Sequence, residues 1–166
     1  LQNVTLNLGT GVLQLFFSET IDVTPLETLN RNLINISDAK NSQLTFSLNG
    51  SFIESANNVV LTFTLPEFFR NTVQRFAGTP GGDGGTSLIS LLSNVAFDLM
   101  ENPSLGLPFQ ELVEHQDQVR PVMIAASLHL GLGLLKITAS ETLSHVFTPQ
   151  MVIQNDLIPD PTTSVN

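Results

Sequence analysis

Apolar and polar residues alternate along the first part of the chain with a period of two positions. In residues 4–8, valine and leucine alternate with threonine and asparagine, which is the pattern of a half-buried strand. Gly9 and Gly11 lie in the next turn, and glycine tolerates the positive φ that a tight turn requires. Because the apolar pattern resumes in residues 12–17, we predict a β-hairpin over residues 4–17.

Further short strands are predicted where apolar runs return between turn residues. Residues 59–65 (VVLTFTL) carry the strongest pattern, because β-branched and aromatic residues favour strands. The other predicted strands are residues 33–37, 44–48, 86–92 and 94–97. Loops are expected at residues 21–30 and 81–85, and an extended connector is expected over residues 104–120.

The hydrophobic period changes once, after Pro66. Phe69, Val73 and Phe76 are spaced as on one face of a helix, and proline suits a first helical position. We therefore predict one short helix over residues 66–76. About seven short strands with turn signals between them are typical of a β-sandwich. The predicted fold class is all-β, a sandwich with one short helix.

The opening hairpin recurs near the other end of the chain. Residues 5–20 and 127–142 share eight identities in sixteen ungapped positions, each identical pair being 122 residues apart. A fixed internal period of this kind indicates tandem repeats. We predict that residues 1–120 are one complete repeat. Residues 121–166 are then an incomplete second repeat of about three strands, the third at residues 151–154.

Several motifs together resemble a known repeat family. They are GVLQLFFSE at residues 11–19, the strand-to-helix step of residues 59–76, DLMENP at residues 98–103 and DQVRP at residues 117–121. The chain resembles the bacterial S-layer type of immunoglobulin-like repeat. It is more similar still to tandem versions in very large extracellular proteins of choanoflagellates and sponges. The resemblance implies an immunoglobulin-like β-sandwich with a structural or adhesive role and no catalytic residue.

Two positions depart from the pattern of that family. Glu101 stands before the asparagine of the 98–103 turn, where family members usually carry glycine. Ala139 occupies the position in the second copy that corresponds to Phe17 in the first.

Composition excludes some partners. Fifteen acidic residues against six lysines and arginines give a formal charge of −9, which argues against nucleic acid and anionic membranes. Calcium or a basic partner remains compatible. The chain has no cysteine, hence no disulfide framework, and no segment reaches the roughly 18 uninterrupted apolar residues of a membrane span. Because Leu1 begins within a strand pattern, we expect a processed or excised piece of a longer protein.

Three sequons are candidate glycosylation sites, with their acceptors at Asn3, Asn35 and Asn49. Asn3 and Asn35 are predicted on the outward phase of their strands, and Asn49 is predicted in a hairpin turn. A glycan at any of the three would then leave the core undisturbed.

Acidic residues near two turns are weak candidates for calcium ligands, since calcium prefers oxygen donors. Glu19 and Asp22 are predicted in one loop, and Asp98 and Asn102 in one turn. The favoured alternative is that Asp98 and Asn102 bond backbone amides and fix that turn. No metal or other cofactor is therefore assigned, although calcium stays possible.

No arrangement of catalytic residues is recognised, and we do not expect an enzyme. His115, His129 and His145 are widely spaced. The repeated Ser-Glu pair at Ser18 lacks a Gly-x-Ser-x-Gly elbow. The glycines of residues 81–85 lack the Lys-Ser/Thr of a phosphate loop.

The incomplete second copy leaves three explanations. The chain is a fragment of a longer array, its half-repeat adds strands to its own first domain, or another molecule completes it by strand addition. We hypothesise the third, a structural repeat that assembles head-to-tail with other copies into an extracellular fibre, secreted or at the cell surface. The alternative is a calcium- or glycan-binding adhesion module, although Trp and Tyr, the usual platforms for sugars, are absent.

Overall fold

The chain divides into two compact units, residues 1–120 and residues 121–166. The structure, a computed structural model, describes residues 1–25, 29–40, 45–48, 51–52 and 56–143. Within this part the chain is mostly β with one short helix, as the sequence predicts.

The described residues of the first unit form ten strands and one α-helix. In chain order the strands are β1 (Asn3–Asn7), β2 (Val12–Asp22), β3 (Ile34–Asp38), β4 (Thr45–Ser47), β5 (Ser51–Phe52), β6 (Asn58–Thr64), β7 (Ser87–Leu91), β8 (Phe97–Asp98), β9 (Leu107–Glu111) and β10 (Val113–His115). The helix, α1 (Glu67–Phe76), lies between β6 and β7, and a 3-10 turn at Arg31–Leu33 precedes β3.

The ten strands form two sheets. The first has the order β10-β1-β2-β6-β5, with β8 also paired to β2, and the second has the order β4-β3-β7-β9. The predicted hairpin is confirmed as β1 and β2, which pair antiparallel with Leu6 opposite Leu13. Among the described strands, only β1 and β10 run parallel, with Thr5 opposite Val113.

Both sheets contribute side chains to one buried hydrophobic cluster. Within β1, β2 and β6, buried residues alternate with more exposed ones, as expected for strands that cover a core with one face. The fully buried side chains include Leu6, Leu13, Leu15, Leu61 and Phe63 from the first sheet and Ile34, Ile36 and Ile89 from the second. Burying each such side chain contributes about 1.5–3 kcal/mol, so this shared cluster dominates the stability of the unit.

Helix α1 ties the tip of the β1–β2 hairpin to the rest of the unit. Val73 and Phe76 are buried and Phe69 packs partly against the core, which confirms the predicted apolar face. Arg70 is also buried, and its guanidinium donates to the carbonyl oxygen of Gly9 in the hairpin tip. The guanidinium also lies 2.6 Å from the Glu67 carboxylate, which compensates the buried charge.

Two predictions about the end of the first unit were wrong. Residues 104–120 are not simply a connector, because they include β9 on the second sheet and β10 on the first, with Leu112 buried between them. Pro108 made this segment read as a connector, but β9 is an edge strand, where proline is tolerated. Residues 94–97 are not a strand either, since Asn94 has a φ of +67° and the pairing begins only at Phe97.

The second unit begins with a hairpin that reproduces the first one. Its strands are β11 (Met123–His129) and β12 (Leu134–Ala139). Leu128 lies opposite Leu135, as Leu6 lies opposite Leu13 in the first unit, so the internal repeat extends to the strand register. The glycine before the second strand also has a positive φ in both copies, +73° at Gly11 and +61° at Gly133. The predicted third strand at residues 151–154 lies outside the described residues.

We expect alanine to be tolerated less well at Gly11 than at Gly133. Both glycines have left-handed φ angles, for which a side chain costs about 1–2 kcal/mol. At Gly11 an added Cβ would also lie 3.0 Å from the carbonyl oxygen of Leu65, whereas at Gly133 nothing lies within 4 Å. Gly11→Ala should therefore lower the free energy of unfolding of the first unit by about 2 kcal/mol or more.

Urea unfolding followed by far-UV circular dichroism, with amide exchange at Leu13 as a local probe, measures this loss. Gly133→Ala is the matched control and should leave the exchange at Leu13 unchanged. An equal loss of stability at Leu13 in the two variants would contradict the role of the Leu65 contact.

Candidate functional site

A cavity of about 250 Å³ opens at the end of the first unit where the chain begins. Its walls combine apolar side chains with two carboxylates and several smaller polar groups. The lining residues are Leu1, Phe17, Ser18, Glu19, Ile21, Leu91, Asp98, Asn102, Pro103, Ser104 and Leu105. Leu105 is almost wholly exposed, so the rim of the cavity is also apolar.

The cavity lies beside a break in the strand pairing along β2. On one edge of β2, β6 pairs with residues 12–16 and again with Ile21. On the other edge, β1 pairs with residues 12–16 and β8 pairs with Ile21 and Asp22. No described strand is in register with residues 17–20 on that second edge. This break, called the β2 gap below, leaves room for the cavity.

The turn after β8 is held by one carboxylate. The Asp98 Oδ1 atom accepts the backbone N–H groups of Met100 and Asn102, both at 2.8 Å. The Asn102 side-chain amide donates to Asp98 Oδ2, also at 2.8 Å. These hydrogen bonds fix the turn. The sequence favoured this role for Asp98 and Asn102 over the binding of a metal ion.

Hydrogen bonds to the Asp98 carboxylate favour its charged form. The Asn102 side-chain amide is the main cause that holds the pKa of Asp98 below its usual value of 3.8, and the backbone N–H groups of Asn102 and Met100 act in the same direction. Partial desolvation opposes them.

Three of the four weak metal candidates come together in this cavity. Glu19, Asp98 and Asn102 line it, whereas Asp22 does not, and the carboxylate of Asp22 accepts the Thr24 N–H at 3.0 Å. The prediction that Glu19 and Asp22 lie in a loop was wrong, because both belong to β2. Within the described residues no group of three or more His, Cys, Asp or Glu is arranged to hold a metal ion. Of the four predicted metal ligands, the cavity thus brings together two carboxylates and one amide.

Sequence reasoning missed that Glu19 and Asp98 line the same cavity. Nothing in the spacing of these two residues signals their approach, because it depends on β8 returning to the edge of β2. It also missed the apolar walls, of which Leu1 and Leu105 are examples. A cavity with two carboxylates and apolar walls favours a ligand that has a cationic group next to a hydrocarbon part.

The departure from the family pattern at Glu101 has a structural consequence. Glu101 has a φ of +64°, the left-handed region in which glycine is favoured. Its N–H donates to the Asp98 carbonyl at 3.1 Å, which closes the turn. The glycine usual in the resembled family would therefore relieve backbone strain at this position.

The described sequons differ in accessibility. Asn3 is exposed at the start of β1, and its side chain accepts the Val4 N–H at 2.9 Å. Asn35 is half-buried in β3, between β4 and β7, and the hydroxyl-bearing residue of its sequon, Ser37, is only 1% exposed. Asn49 lies outside the described residues. Glycan attachment at all three stays a prediction, with Asn3 the more accessible of the two described acceptors.

The residues considered for catalysis are dispersed. His129 accepts the Leu132 N–H in the turn of the second hairpin, and His115 ends β10. His145 lies outside the described residues. Ser18 lines the cavity, where no described histidine accompanies it.

Three comparisons with known proteins were made. The scan against protein-family models gave no match, and the searches of curated proteins and of solved structures gave none either. The helix in the described residues is too short to cross a membrane.

The stabilising effect of Asp98 should depend on pH. Because the folded state lowers the pKa of Asp98, its contribution is present above the unfolded value near 3.8 and is lost as the pH falls through the lower folded value. Asp98→Asn should therefore lower the melting temperature at neutral pH, and the difference from the wild type should shrink in strong acid. Thermal unfolding across this range measures it, with Asp117→Asn as a charge-matched control. A difference that is independent of pH would contradict the role of the charged carboxylate.

Replacing Glu101 by glycine should stabilise the turn. We expect the free energy of unfolding of Glu101→Gly to be about 1 kcal/mol higher than that of Glu101→Ala. Alanine keeps the strain of the left-handed φ angle, and glycine removes it. Both variants lose the same carboxylate, so their comparison in urea unfolding isolates the backbone effect. Equal stability of the glycine and alanine variants would rule out strain at this position.

Proposed function

We propose that the chain is a structural repeat of an extracellular fibre. Residues 1–120 form one complete immunoglobulin-like sandwich, and residues 121–166 open the next repeat. The copies assemble head-to-tail, and neighbouring polypeptide completes the second unit by strand complementation. The first hairpin and its copy provide the main support.

The strand order of the first unit supports the immunoglobulin-like assignment. In immunoglobulin constant domains, the first, second, fifth and fourth strands form one sheet, and the third, sixth and seventh form the other. The sheet β1-β2-β6-β5 and the sheet β3-β7-β9 have this order, with β4 added at the edge beside β3. Helix α1 then lies in the connection between the fifth and sixth strands of the sandwich.

The observation that carries the assembly proposal is the different burial of equivalent leucines. Leu6 and Leu8 are 0% exposed in the first unit. Their counterparts in the second hairpin, Leu128 and Leu130, are 44% and 84% exposed. Within the described residues, the second hairpin therefore has the register and apolar face of the first hairpin without the cover that the first hairpin receives.

Covering this face would be strongly favourable. Each leucine removed from water contributes about 1.5–3 kcal/mol, and a two-stranded hairpin is marginal in water by itself. Both outer edges of the second hairpin are also without a described partner, although β10 and β6 occupy the equivalent edges of the first hairpin. An uncovered face and two open edges favour the addition of further strands.

A second candidate is a calcium-binding adhesion module, favoured by the presence of Glu19 and Asp98 in one cavity. Calcium takes six to eight oxygen ligands, and the cavity supplies few of them. The structural repeat is therefore the better supported function.

Self-association should depend on the apolar face of the second hairpin. The wild-type chain should form larger species as its concentration rises, and Leu128→Asp should keep it monomeric, because a charge at this position prevents burial of the face. Ser127→Asp is the matched control on the opposite face of β11 and should associate like the wild type. Sedimentation velocity measures the size, and electron microscopy shows whether the species are periodic fibres. A stable wild-type monomer of 18.0 kDa at every concentration would end the assembly proposal.

A further inference from the structure

The structure points to a binding partner for the cavity at the β2 gap. We infer that the β2 gap binds the linker between repeats. The linker would come from a preceding copy, joined in tandem ahead of Leu1, and its equivalent of residues 120–122 would fill the gap. The inference rests on the tandem arrangement of the proposed function. It goes further by naming the segment bound and the residue contacts that hold it.

The second unit contains the pairing that the first unit lacks. Val122, the last residue of the linker, donates its N–H to the Ser140 hydroxyl at 2.8 Å. Ser140 in turn donates its backbone N–H to the Val122 carbonyl at 2.8 Å. Ser18 is the counterpart of Ser140, 122 residues earlier, and it lies in the β2 gap. A linker ahead of Leu1 would therefore reach Ser18 by continuing the hairpin register.

The apolar parts of the linker and the cavity fit each other. Val119 and Val122 are more than half exposed, and the linker has no helix or strand structure between β10 and β11. The cavity presents Leu1, Phe17 and Leu105. Placing valine and proline against these side chains removes apolar surface from water on both partners.

The charges are complementary as well. Glu19 and Asp98 both line the cavity, and two carboxylates in one cavity favour a cation beside them. The linker carries Arg120, for which no ion pair is found within the described part of the chain. The planar guanidinium of arginine can bond two carboxylates at once, and its hydrocarbon stem can lie on the apolar wall. Glu19 also has a counterpart, Glu141, directly after Ser140, so the acidic residue is part of the repeat.

The test adds a six-residue extension, with the sequence of residues 117–122, ahead of Leu1 of the full chain. The extension should raise the melting temperature of the first unit by about 3 °C or more. It should slow amide exchange in residues 18–20 by about tenfold, because the gap becomes paired. An extension with glutamine in place of its arginine should give less than half of both effects. Glu19→Gln should reduce the gain in melting temperature from the extension, each extended chain being compared with the unextended chain that carries the same residue 19.

The measurements are made on dilute monomer, so they do not require fibre formation. If the wild-type chain never associates but the extension raises the melting temperature, the fibre proposal fails and the binding of the linker in the β2 gap is supported. If the extension changed neither the melting temperature nor the amide exchange, the proposal that the linker binds the β2 gap would be overturned. It would also be overturned if calcium chloride alone stabilised the unextended chain, Glu19→Gln abolished that effect, and the extension had none.

Discussion

The structure depends on covering one apolar face of a β-hairpin. In the first unit the β1–β2 hairpin places Leu6, Leu13 and Leu15 on that face, and the second sheet supplies Ile36 and Ile89 to the same cluster. The chain has no cysteine, tryptophan or tyrosine, so neither disulfides nor large polar aromatics contribute. Stability therefore comes mainly from aliphatic and phenylalanine side chains that are removed from water. The same face recurs in the second hairpin, where the described residues leave Leu128 and Leu130 exposed. Among the described residues, the same sequence pattern is thus found once with its apolar face covered and once with that face exposed.

The covered hairpin is also fixed at its tip. Gly11 approaches Leu65 closely, and its carbonyl accepts the Leu65 N–H at 2.8 Å. Arg70 extends from α1 to the carbonyl of Gly9, so the helix and the hairpin tip form one hydrogen-bonded group. Breaking a buried ion pair or a charged hydrogen bond of this kind is costly, because a buried charge loses its partner. The short helix is therefore more than a connection between β6 and β7, since it holds the turn between the first two strands.

Local patterns predicted most of the elements of the first unit, and the failures share a physical cause. The hairpin, the strand at β6 and α1 have clear periods, and each is largely determined by its own residues. Strands β9 and β10 were missed because Pro108 and exposed residues hide the alternation on edge strands. The candidate site was predictable only in part. Asp98 and Asn102 are neighbours in sequence, and their turn could be recognised, whereas the approach of Glu19 depends on how β8 meets β2. Contacts made by the packing of distant strands leave no local signal.

The differences between the two hairpins bear on how copies can join. A second hairpin with the register of the first could in principle replace it in another copy, giving a swapped dimer. Ala126 and Ala139 stand where the first hairpin has Val4 and Phe17, both of which are buried. Losing a buried phenylalanine side chain alone costs about 3–5 kcal/mol, so the exchanged hairpin would bind more weakly than the one it displaces. The first hairpin is also covalently attached to its own sheet, which gives it a high effective concentration. Both effects disfavour the exchange of hairpins between copies. Strands that are not already paired are therefore better partners for the second hairpin. Under the proposed assembly such additions would be directional, because the donor and acceptor surfaces would differ, and repeated directional contacts would extend a filament instead of closing a dimer.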